Sequence, residues 1–186
     1  MFHRSATTAG FTLVELVLVV GLLATVVGIA VPVTLDVSEG IRVGNATREF
    51  ERELQGARIK AVSANRPMRV LFSCPAAGSY RMVEEMSNAV DTAGDRCSET
   101  SYPFPSPRDS DVATPAQDGP VRRLFPDVSA TIGVRGLQFM PDGRTFQVTS
   151  AGATQFMTAA GTSFVFTKGS HSRTVNVNGL GRIVVN

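Results

Sequence analysis

The fold is decided by residues 10–33, which read GFTLVELVLVVGLLATVVGIAVPV. From Leu16 to Val33 this stretch contains a single hydroxyl group and no charge. At ~1.5 Å per helical residue, the apolar run can cross roughly 27 Å of hydrocarbon. Glu15 stands in its first turn, where an ionised carboxylate is costly and needs a partner. The stretch therefore predicts a membrane-spanning helix with an acid near its start.

Charges on either side of the apolar run predict its orientation. Arg4 precedes it, and the next arginine or lysine is Arg42, beyond its far end. The positive-inside rule then places residues 1–10 in the cytoplasm and the chain after about residue 36 outside the membrane. A secretory signal peptide is the alternative, because the small residues at 28–30 suit its peptidase. Against that alternative, the apolar run is longer than a usual signal core.

The residues ahead of the apolar run form a specific motif. It reads GFTLVEL from Gly10 to Leu16 and closely resembles the cleavage and methylation signature of type IV prepilins and type II secretion pseudopilins. The resemblance implies that prepilin peptidase removes residues 1–10 as a leader, cutting between Gly10 and Phe11, and that the new Phe11 amine is N-methylated. Glycine suits a scissile position because it has no side chain to obstruct an extended backbone in a narrow cleft.

Cleavage at this motif gives Glu15 a physical role. The ammonium freed at Phe11 and the Glu15 carboxylate would both lie beside hydrocarbon without water, so each needs the other. Within one subunit the two groups lie one helical turn apart. In a helical filament, the ammonium of one subunit can instead meet the carboxylate of its neighbour and define the axial register. We therefore expect Glu15 to direct assembly, with an incidental interfacial glutamate as the alternative.

The helix is expected to continue beyond the membrane-spanning part, residues 11–35, as an amphipathic part over residues 36–65. Apolar residues recur there at the helical period, namely Val43, Ala46, Phe50, Leu54, Ala57 and Ala61. Pro67 ends the pattern, because proline disfavours a helical residue before it. Pro32 is expected to kink the helix near the membrane exit, because it lacks a backbone donor and clashes with the preceding turn.

The period changes from helical to alternating after Pro67, which predicts a β-rich domain over residues 66–186. Short strands are expected around residues 68–72, 80–83, 136–140, 145–148, 163–167, 174–177 and 182–185. Turn sequences such as Pro141-Asp142-Gly143 and Asn178-Gly179 separate them. One helix followed by six or seven strands is an α+β layout. The amphipathic half of the helix should pack on one face of an antiparallel sheet.

Residues 87–120 show no usable period and contain five prolines. They predict a long variable surface loop, either a partner-docking element or a tolerated insertion. Cys97 lies in this loop and Cys74 ends the first strand, on the oxidising side of the membrane in the predicted topology. We expect a disulfide between them rather than two free thiols. Its ring of 24 residues would stabilise the fold by roughly 3 to 4 kcal/mol.

Composition excludes several classes of protein. A charged fraction of 18% and a net charge of +2 exclude an acidic disordered chain and a strongly basic nucleic-acid tail. Two cysteines and two histidines are too few for a multi-histidine metal centre or a thiolate zinc site without histidine. His171 is interpreted as a solvated turn residue and Glu84-Glu85 as exposed. We therefore predict no catalytic residue, no metal and no cofactor.

Three further stretches resemble one group of pilin-like proteins. They lie at residues 54–70, which begin LQGAR and end NRPMRV, at 137–143, LQFMPDG, and at 175–185, VNVNGLGRIVV. Together they resemble the H-type minor pseudopilin and FimT-like family, GspH/FimT. The resemblance implies a type IV pilin-like fold. It also implies a minor subunit at the tip of the periplasmic pseudopilus of the type II secretion system, which drives protein export across the outer membrane.

The same resemblance implies partners and a location. The partners would be other major and minor pseudopilins, contacted through the N-terminal helix, together with prepilin peptidase and the inner-membrane assembly platform. The protein would cross the bacterial inner membrane once, with a cytoplasmic N-terminus and a periplasmic C-terminal domain. Such a subunit acts by assembly and contact, and is not an enzyme.

A FimT-like minor type IV pilin involved in pilus biogenesis or DNA uptake is the alternative function. Residues 121–186 carry seven basic residues against two acids, so Arg122, Arg123 and Arg182 are candidate DNA contacts. A solvated basic face explains the same charges. The DNA-binding relatives carry a second arginine two residues after the first in the C-terminal motif, where this chain has Val184. Nucleic acid is therefore not the expected partner.

Overall fold

The computed structural model describes residues 10–106, 115–125, 127–150 and 152–186. Residues 1–9, most of the predicted leader, lie outside the described residues, as do residues 107–114 of the predicted loop. The chain divides into two compact units, one up to Ser38 and one from Glu39 to Asn186.

The described elements are two helices and ten strands. In chain order they are α1 (Leu13–Ala64), β1 (Met68–Phe72), β2 (Ser79–Glu84), α2 (Asn88–Asp91), β3 (Val121–Arg123), β4 (Ser129–Thr131), β5 (Gly136–Phe139), β6 (Thr145–Val148), β7 (Thr154–Phe156), β8 (Thr162–Lys168), β9 (His171–Val177) and β10 (Ile183–Val185). Six strands form one antiparallel sheet in the order β3-β2-β1-β5-β6-β7, and four form a second in the order β10-β9-β8-β4. The predicted α+β class, a long N-terminal helix with antiparallel sheet, is confirmed.

Within the first unit, the part of α1 before Ser38 is exposed. Every residue from Gly10 to Val37 is exposed, and the helix contains an 18-residue window of mean hydropathy 2.8. This part is long and apolar enough to cross a membrane. Pro32 lies inside α1, and the helical backbone continues on both sides of it. A kink at Pro32 stays a prediction.

In the second unit, α1 buries the face that the periodicity predicts. Its buried residues are Val43, Ala46, Thr47, Phe50, Leu54, Ala57 and Ala61. Thr47 is the polar member of this set, and its hydroxyl donates a hydrogen bond to the Val43 carbonyl at 3.1 Å, so it is not left unsatisfied. The helix ends at Ala64, and Asn65 follows with a left-handed φ of 51°, a conformation that terminates helices.

Four phenylalanines join α1 to both sheets. The ring of Phe50 lies 5.7 Å from that of Phe72 in β1 and 5.1 Å from each of Phe164 and Phe166 in β8. Phe72 and Phe164 meet edge-on at 5.4 Å. Tilted aromatic pairs of this kind contribute about 0.5–1.5 kcal/mol each beyond area burial. The helix therefore packs on two sheets, and the prediction of a single sheet is wrong.

The additional strands are short. β3, β4 and β7 have three residues each and contain no run of β-branched residues, whereas β10, which is equally short, reads Ile-Val-Val. The other seven strands lie where the sequence predicts them. Because β3 pairs with β2 and β4 pairs with β8, the chain passes from one sheet to the other between Arg123 and Ser129. The chain crosses again between β4 and β5 and between β7 and β8, and these three crossings divide the strands between the two sheets.

Part of the predicted surface loop, residues 87–120, is buried against the six-stranded sheet on the side away from α1. Asp91, Arg96 and Asp118 of this segment are buried. A small apolar cluster of Leu71, Cys74, Val83 and Val148, with Cys97 packed against it, lies on the same side. Cys74 and Cys97 form a disulfide. The expectation of a surface loop is wrong for these residues. Their buried charged side chains and the disulfide hold the segment against the sheet, and neither produces a hydrophobic period in the sequence.

Candidate functional site

Thr12 and Glu15 form a reciprocal cap at the start of α1. The Thr12 hydroxyl accepts a hydrogen bond from the Glu15 backbone N–H at 3.3 Å. One Glu15 carboxylate oxygen accepts hydrogen bonds from the Thr12 backbone N–H at 3.4 Å and from its hydroxyl at 3.3 Å. This arrangement is a capping box, which satisfies N–H groups that a helix start otherwise leaves without partners.

Glu15 was expected to direct assembly, and its role in a helix cap was not predicted. The signal was available as Thr-x-x-Glu ahead of an apolar run, inside the longer motif. In the uncut chain Phe11 follows Gly10 through an amide bond, so its nitrogen carries no positive charge. In the intact chain the Glu15 carboxylate is therefore satisfied by Thr12. Release of an ammonium at Phe11 would offer that carboxylate a stronger, charged donor.

The apolar side chains of α1 before Ser38 lie open on every side of the helix. The exposed fraction of its large apolar residues runs from 48% at Val19 to 78% at Leu13. Monomeric soluble proteins rarely expose a contiguous apolar surface of this size. A helix that is apolar all round must be covered by lipid or by other helices. Gly21 and Gly28, which have no neighbouring atom within 4 Å of an added Cβ, would allow a second helix close approach.

A buried ionic cluster ties residues 87–120 to the six-stranded sheet. The Asp118 carboxylate accepts hydrogen bonds from the Glu84 backbone N–H at 2.8 Å and from Arg96 Nη2 at 2.9 Å, and it also bonds Arg96 Nη1. Arg81 Nη2 lies 3.8 Å from the same carboxylate. Burial lowers the pKa of the Arg81 guanidinium, and Asp118 opposes that shift. Arg81 also donates to the backbone carbonyls of Ser98, Tyr102 and Gly119.

The buried ionic cluster continues to Arg69 of β1. Arg69 Nη2 lies 2.7 Å from Glu85, and Arg69 Nη1 lies 3.4 Å from Asp91. Its Nε donates to the Gln138 side chain at 2.7 Å. Asp91 in turn lies 3.9 Å from Arg96. Arginines 69, 81 and 96 thus face acids 85, 91 and 118, so the cluster is balanced in charge. Balance of this kind is what makes burial of charge tolerable.

Glu84 was predicted to be exposed, and this prediction is wrong. Its side chain is fully buried and pairs with Arg66 at 2.5 Å. The backbone N–H groups of Ala116 and Gln117 donate to its other oxygen at 3.0 Å each. Burial also lowers the pKa of the nearby Lys60 ammonium, although two carboxylates oppose that shift. The returning end of the 87–120 segment covers Glu84, which no local pattern could indicate.

The three arginines considered as DNA contacts do not converge on one face. Arg122 and Arg123 are adjacent on β3, so their side chains point to opposite sides of the sheet. Arg122 forms an ion pair with Glu53 of α1, beside Tyr80, whose pKa is raised by burial to about 12. Arg182 precedes β10, an edge strand of the other sheet. A duplex would therefore not meet the three guanidinium groups together.

Metal binding has no suitable constellation in the part of the chain that the structure describes. Those residues contain no group of three or more His, Cys, Asp or Glu side chains able to hold a metal ion. A cleft of about 670 Å³ is lined by Arg123, by the turn between β1 and β2, and by apolar side chains near β4. General acid–base catalysis needs titratable groups placed to exchange protons with a substrate. The described lining of this cleft supplies one arginine and no such pair.

A comparison with known protein families shows to which of them the chain is related. The family model described as type II transport protein GspH matches residues 46–181. The chain belongs to the GspH family. The match runs from the buried half of α1 almost to the last strand, and it confirms the resemblance predicted from three short stretches of sequence.

Comparison with individual proteins adds two solved structures. Among curated protein sequences, none matches the GspH-family chain. Both structures are of the type IV minor pilin FimU from Pseudomonas aeruginosa, each 15% identical over 77% of this chain. The match to the first structure spans 91% of the FimU chain with a TM-score of 0.45, and the match to the second spans 87% with a TM-score of 0.46.

Members of the GspH family are pilin-like structural subunits. Among its described residues, this GspH-family chain has one helix long and apolar enough to serve as a single-pass membrane anchor. The surfaces of this chain that could contact other pilin-like subunits are therefore its candidate functional surfaces. They are the capped start of α1, the open apolar part of α1 before Ser38, and the second unit, Glu39–Asn186, which is called the head below.

Proposed function

We propose that the chain is a minor pseudopilin of a type II secretion system, which assembles at the tip of the periplasmic pseudopilus and supports protein export across the outer membrane. One observation carries the proposal: a GspH-family head continues from an open apolar helix that begins with the GFTLVEL motif at Gly10. Lipid can cover that helix before assembly, and sister helices can cover it afterwards.

Processing would convert the membrane form into the assembly form. Gly10 is exposed, so the bond between Gly10 and Phe11 is open to prepilin peptidase. The cut leaves an ammonium at Phe11, which is then N-methylated. Methylation of an amine keeps its positive charge, so the ammonium remains able to pair with a carboxylate.

Glu15 would then exchange its partner. In the uncut chain its carboxylate accepts hydrogen bonds from Thr12. In a filament, the Phe11 ammonium of a neighbouring subunit would replace these neutral donors with a charged one. The gain is larger in a low-dielectric environment than in water, so pairing favours subunits packed side by side among apolar helices. The pairing also sets the axial register between subunits.

The chain would act through contacts and without chemistry. Its partners would be other major and minor pseudopilins, prepilin peptidase and the inner-membrane assembly platform. It would cross the bacterial inner membrane once, with the segment before Gly10 in the cytoplasm and the head in the periplasm. The periplasm is oxidising, which suits the disulfide between Cys74 and Cys97.

The variant Glu15→Ala tests the proposal in cells that carry the secretion system. It should insert in the membrane and lose its leader normally, yet fail to co-purify with the other pilin-like subunits. The matched control is Thr25→Ala, which also removes a polar group from the same helix but one that bonds only its own Leu22 carbonyl. Normal co-purification of Glu15→Ala would contradict the assigned role.

A second experiment tests the alternative function, a role in DNA uptake. The purified full chain in detergent is mixed with duplex DNA at several salt concentrations. The proposal predicts no salt-sensitive binding. Binding that weakens steeply with salt, and that is lost in Arg122→Ala or Arg182→Ala, would favour uptake over secretion.

A further inference from the structure

A cavity lies between α1 and the β3 end of the six-stranded sheet. Its volume is about 220 Å³, and its lining includes Lys60, Val70, Tyr80, Met82, Phe104 and Arg122. Protein interiors are close-packed and contain few voids larger than a water molecule, so a cavity of this size exceeds what ordinary packing leaves. Pockets for drug-sized ligands measure roughly 300–1,000 Å³. This one, called the Lys60 cavity below, therefore has room for one large side chain rather than for a cofactor.

The inner wall of the Lys60 cavity is apolar and is fixed by the sheet. Val70 of β1 and Met82 of β2 are register partners, and Tyr80 lies two residues before Met82 on the same face of β2. Val70 and Tyr80 are buried, whereas Phe104 of the 87–120 segment is half exposed. An apolar group that enters between these side chains loses its contact with water, and that burial favours binding.

The ionisable side chains that line the Lys60 cavity carry one net positive charge. Arg122 and Glu53 form an ion pair, so their charges compensate each other. Burial raises the pKa of Tyr80 to about 12, which keeps its hydroxyl neutral at neutral pH. The Lys60 ammonium is left as the uncompensated charge of the lining. A ligand with one negative charge complements it.

The chain satisfies the Lys60 ammonium only in part. An ammonium has three N–H donors, and Lys60 Nζ donates to the Gln117 carbonyl at 2.7 Å, the one hydrogen-bond acceptor that the described residues supply to it. Burial lowers the pKa of this ammonium, whereas the Asp118 and Glu84 carboxylates raise it. Both of those carboxylates already pair with arginines. A ligand carboxylate could therefore accept a charge-assisted hydrogen bond from Lys60.

We propose that the Lys60 cavity binds an apolar group about the size of one side chain that carries a single carboxylate, with the carboxylate at the Lys60 ammonium and the apolar part against Val70 and Met82. Such a group occurs at the end of a polypeptide whose last residue is apolar, and also in a free apolar carboxylic acid. Capture of a terminal carboxylate is a recurring mode of peptide recognition. The inference goes beyond the proposed function, because it gives the head a ligand site that assembly through α1 does not require.

Fluorine NMR of the ligand tests the site on the full chain in detergent. The carboxylate probe is an acetylated Gly-Ser-Gly peptide that ends in 4-fluorophenylalanine, and its matched control is the same peptide with a terminal amide. The resonance of the carboxylate probe should broaden as protein is added, and the amide should bind at least roughly tenfold more weakly. Partition into micelles would broaden both probes alike. Equal affinities of the two probes, or no broadening by the protein, would overturn the proposal.

The substitution Lys60→Met tests the group that binds the carboxylate. Methionine keeps an unbranched apolar stem without the ammonium, so affinity for the carboxylate probe should fall by roughly tenfold, while affinity for the amide stays the same. The matched control is Lys168→Met, which removes the other lysine of the chain, at the end of β8 and outside the cavity lining. It should bind both probes like the wild type. An equal loss in both variants would indicate attraction by net charge alone and contradict the site.

The substitution Phe104→Ala tests the apolar part of the site. Because Phe104 is half exposed, the melting temperature of the variant should stay close to that of the wild type. Both probes should lose affinity by the same factor, roughly fivefold or more, since each presents the same ring to the cavity. Unchanged affinity of both probes in this variant would place the ring outside the Lys60 cavity and overturn the proposal.

A third probe separates the two sources of the ligand. The compound 3-(4-fluorophenyl)propanoic acid carries the same ring and a carboxylate but no peptide bond. Tighter binding of the peptide probe assigns the Lys60 cavity to a polypeptide terminus, whereas equal or tighter binding of the free acid assigns it to a small carboxylic acid. Glu15→Ala, which tests the proposed function, should leave all of these affinities unchanged, so failure of one proposal is distinguishable from failure of the other.

Discussion

Removal of the Asp118 carboxylate should destabilise the head by breaking the buried ionic cluster. The side chain of Asp118 is 1% exposed, as is that of Arg96, and that of Arg81 is 0% exposed. In Asp118→Ala, Arg96 loses two hydrogen bonds to the carboxylate, and the Glu84 backbone N–H loses its acceptor. Two guanidinium groups would then remain buried with less negative charge nearby.

The size of the effect follows from what remains after the substitution. Arg81 keeps backbone carbonyl acceptors at Ser98, Gly119 and Tyr102. Arg96 keeps the Glu84 carbonyl at 2.9 Å. Removing one partner from a buried ion pair costs about 3–5 kcal/mol. Because the backbone acceptors remain, we expect the lower end of that range, about 3 kcal/mol, and a fall in melting temperature of roughly 6–12 °C.

Thermal and denaturant unfolding of the full chain in detergent measure this change. The matched control is Asp142→Ala, which removes an exposed carboxylate from a hairpin turn where it bonds Arg144. An exposed substitution of this kind should change the unfolding free energy by less than about 0.5 kcal/mol. Protease should also cut between α2 and β3 faster in Asp118→Ala. If Asp118→Ala unfolds like the Asp142→Ala control, the cluster does not hold the segment and the reasoning is refuted.

Further predictions concern pH, the disulfide and one close backbone contact. Burial, with Glu53 adding to it, raises the Tyr80 pKa to about 12 from about 10. Because this pKa is higher in the folded state, the stabilisation from protonated Tyr80 is complete below about pH 10 and is lost as the pH rises towards about 12. In denaturant unfolding, Tyr80→Phe should lack this loss of stability. An identical pH dependence in the variant and the wild type would refute the prediction. Replacing Cys74 and Cys97 by alanine should lower the unfolding free energy by roughly 3 kcal/mol, and an unchanged denaturation midpoint would count against it. Gly136→Ala should lower the melting temperature because its Cβ would lie 2.6 Å from a β1 carbonyl oxygen; a wild-type melting temperature would contradict that contact.

The long helix and most of the strands could be predicted because their signals are local. The hydropathy of residues 16–33 is a property of consecutive residues. The buried face around Phe50 follows from the period of one element. Seven strands show alternation or, in β10, a run of β-branched residues within their own length, whereas β3, β4 and β7 show neither. The division into two sheets depends on pairing between distant strands, which periodicity does not encode.

The buried ionic cluster could not be predicted, because its members meet only after the chain folds back. Asp118 reaches Arg81 and Arg96 when residues 87–120 cover the side of the sheet away from α1. A polar segment without a period is ordinarily a solvated loop, and charged residues are ordinarily exposed. Strand geometry likewise led to an expected exposed Glu84-Glu85 pair, whereas Glu84 is buried. At the start of α1, by contrast, the local Thr-x-x-Glu pattern was sufficient to indicate the cap.

Mass spectrometry of the mature polypeptide, isolated from cells with active prepilin peptidase, tests the central claim most directly. The account predicts a polypeptide that begins at Phe11 and carries one methyl group on its α-amine. A polypeptide that begins at Val31 would indicate a cleaved signal peptide and leave the head without its membrane helix. That result, or an uncut chain that still begins at Met1, would contradict assembly through a freed Phe11 ammonium and Glu15.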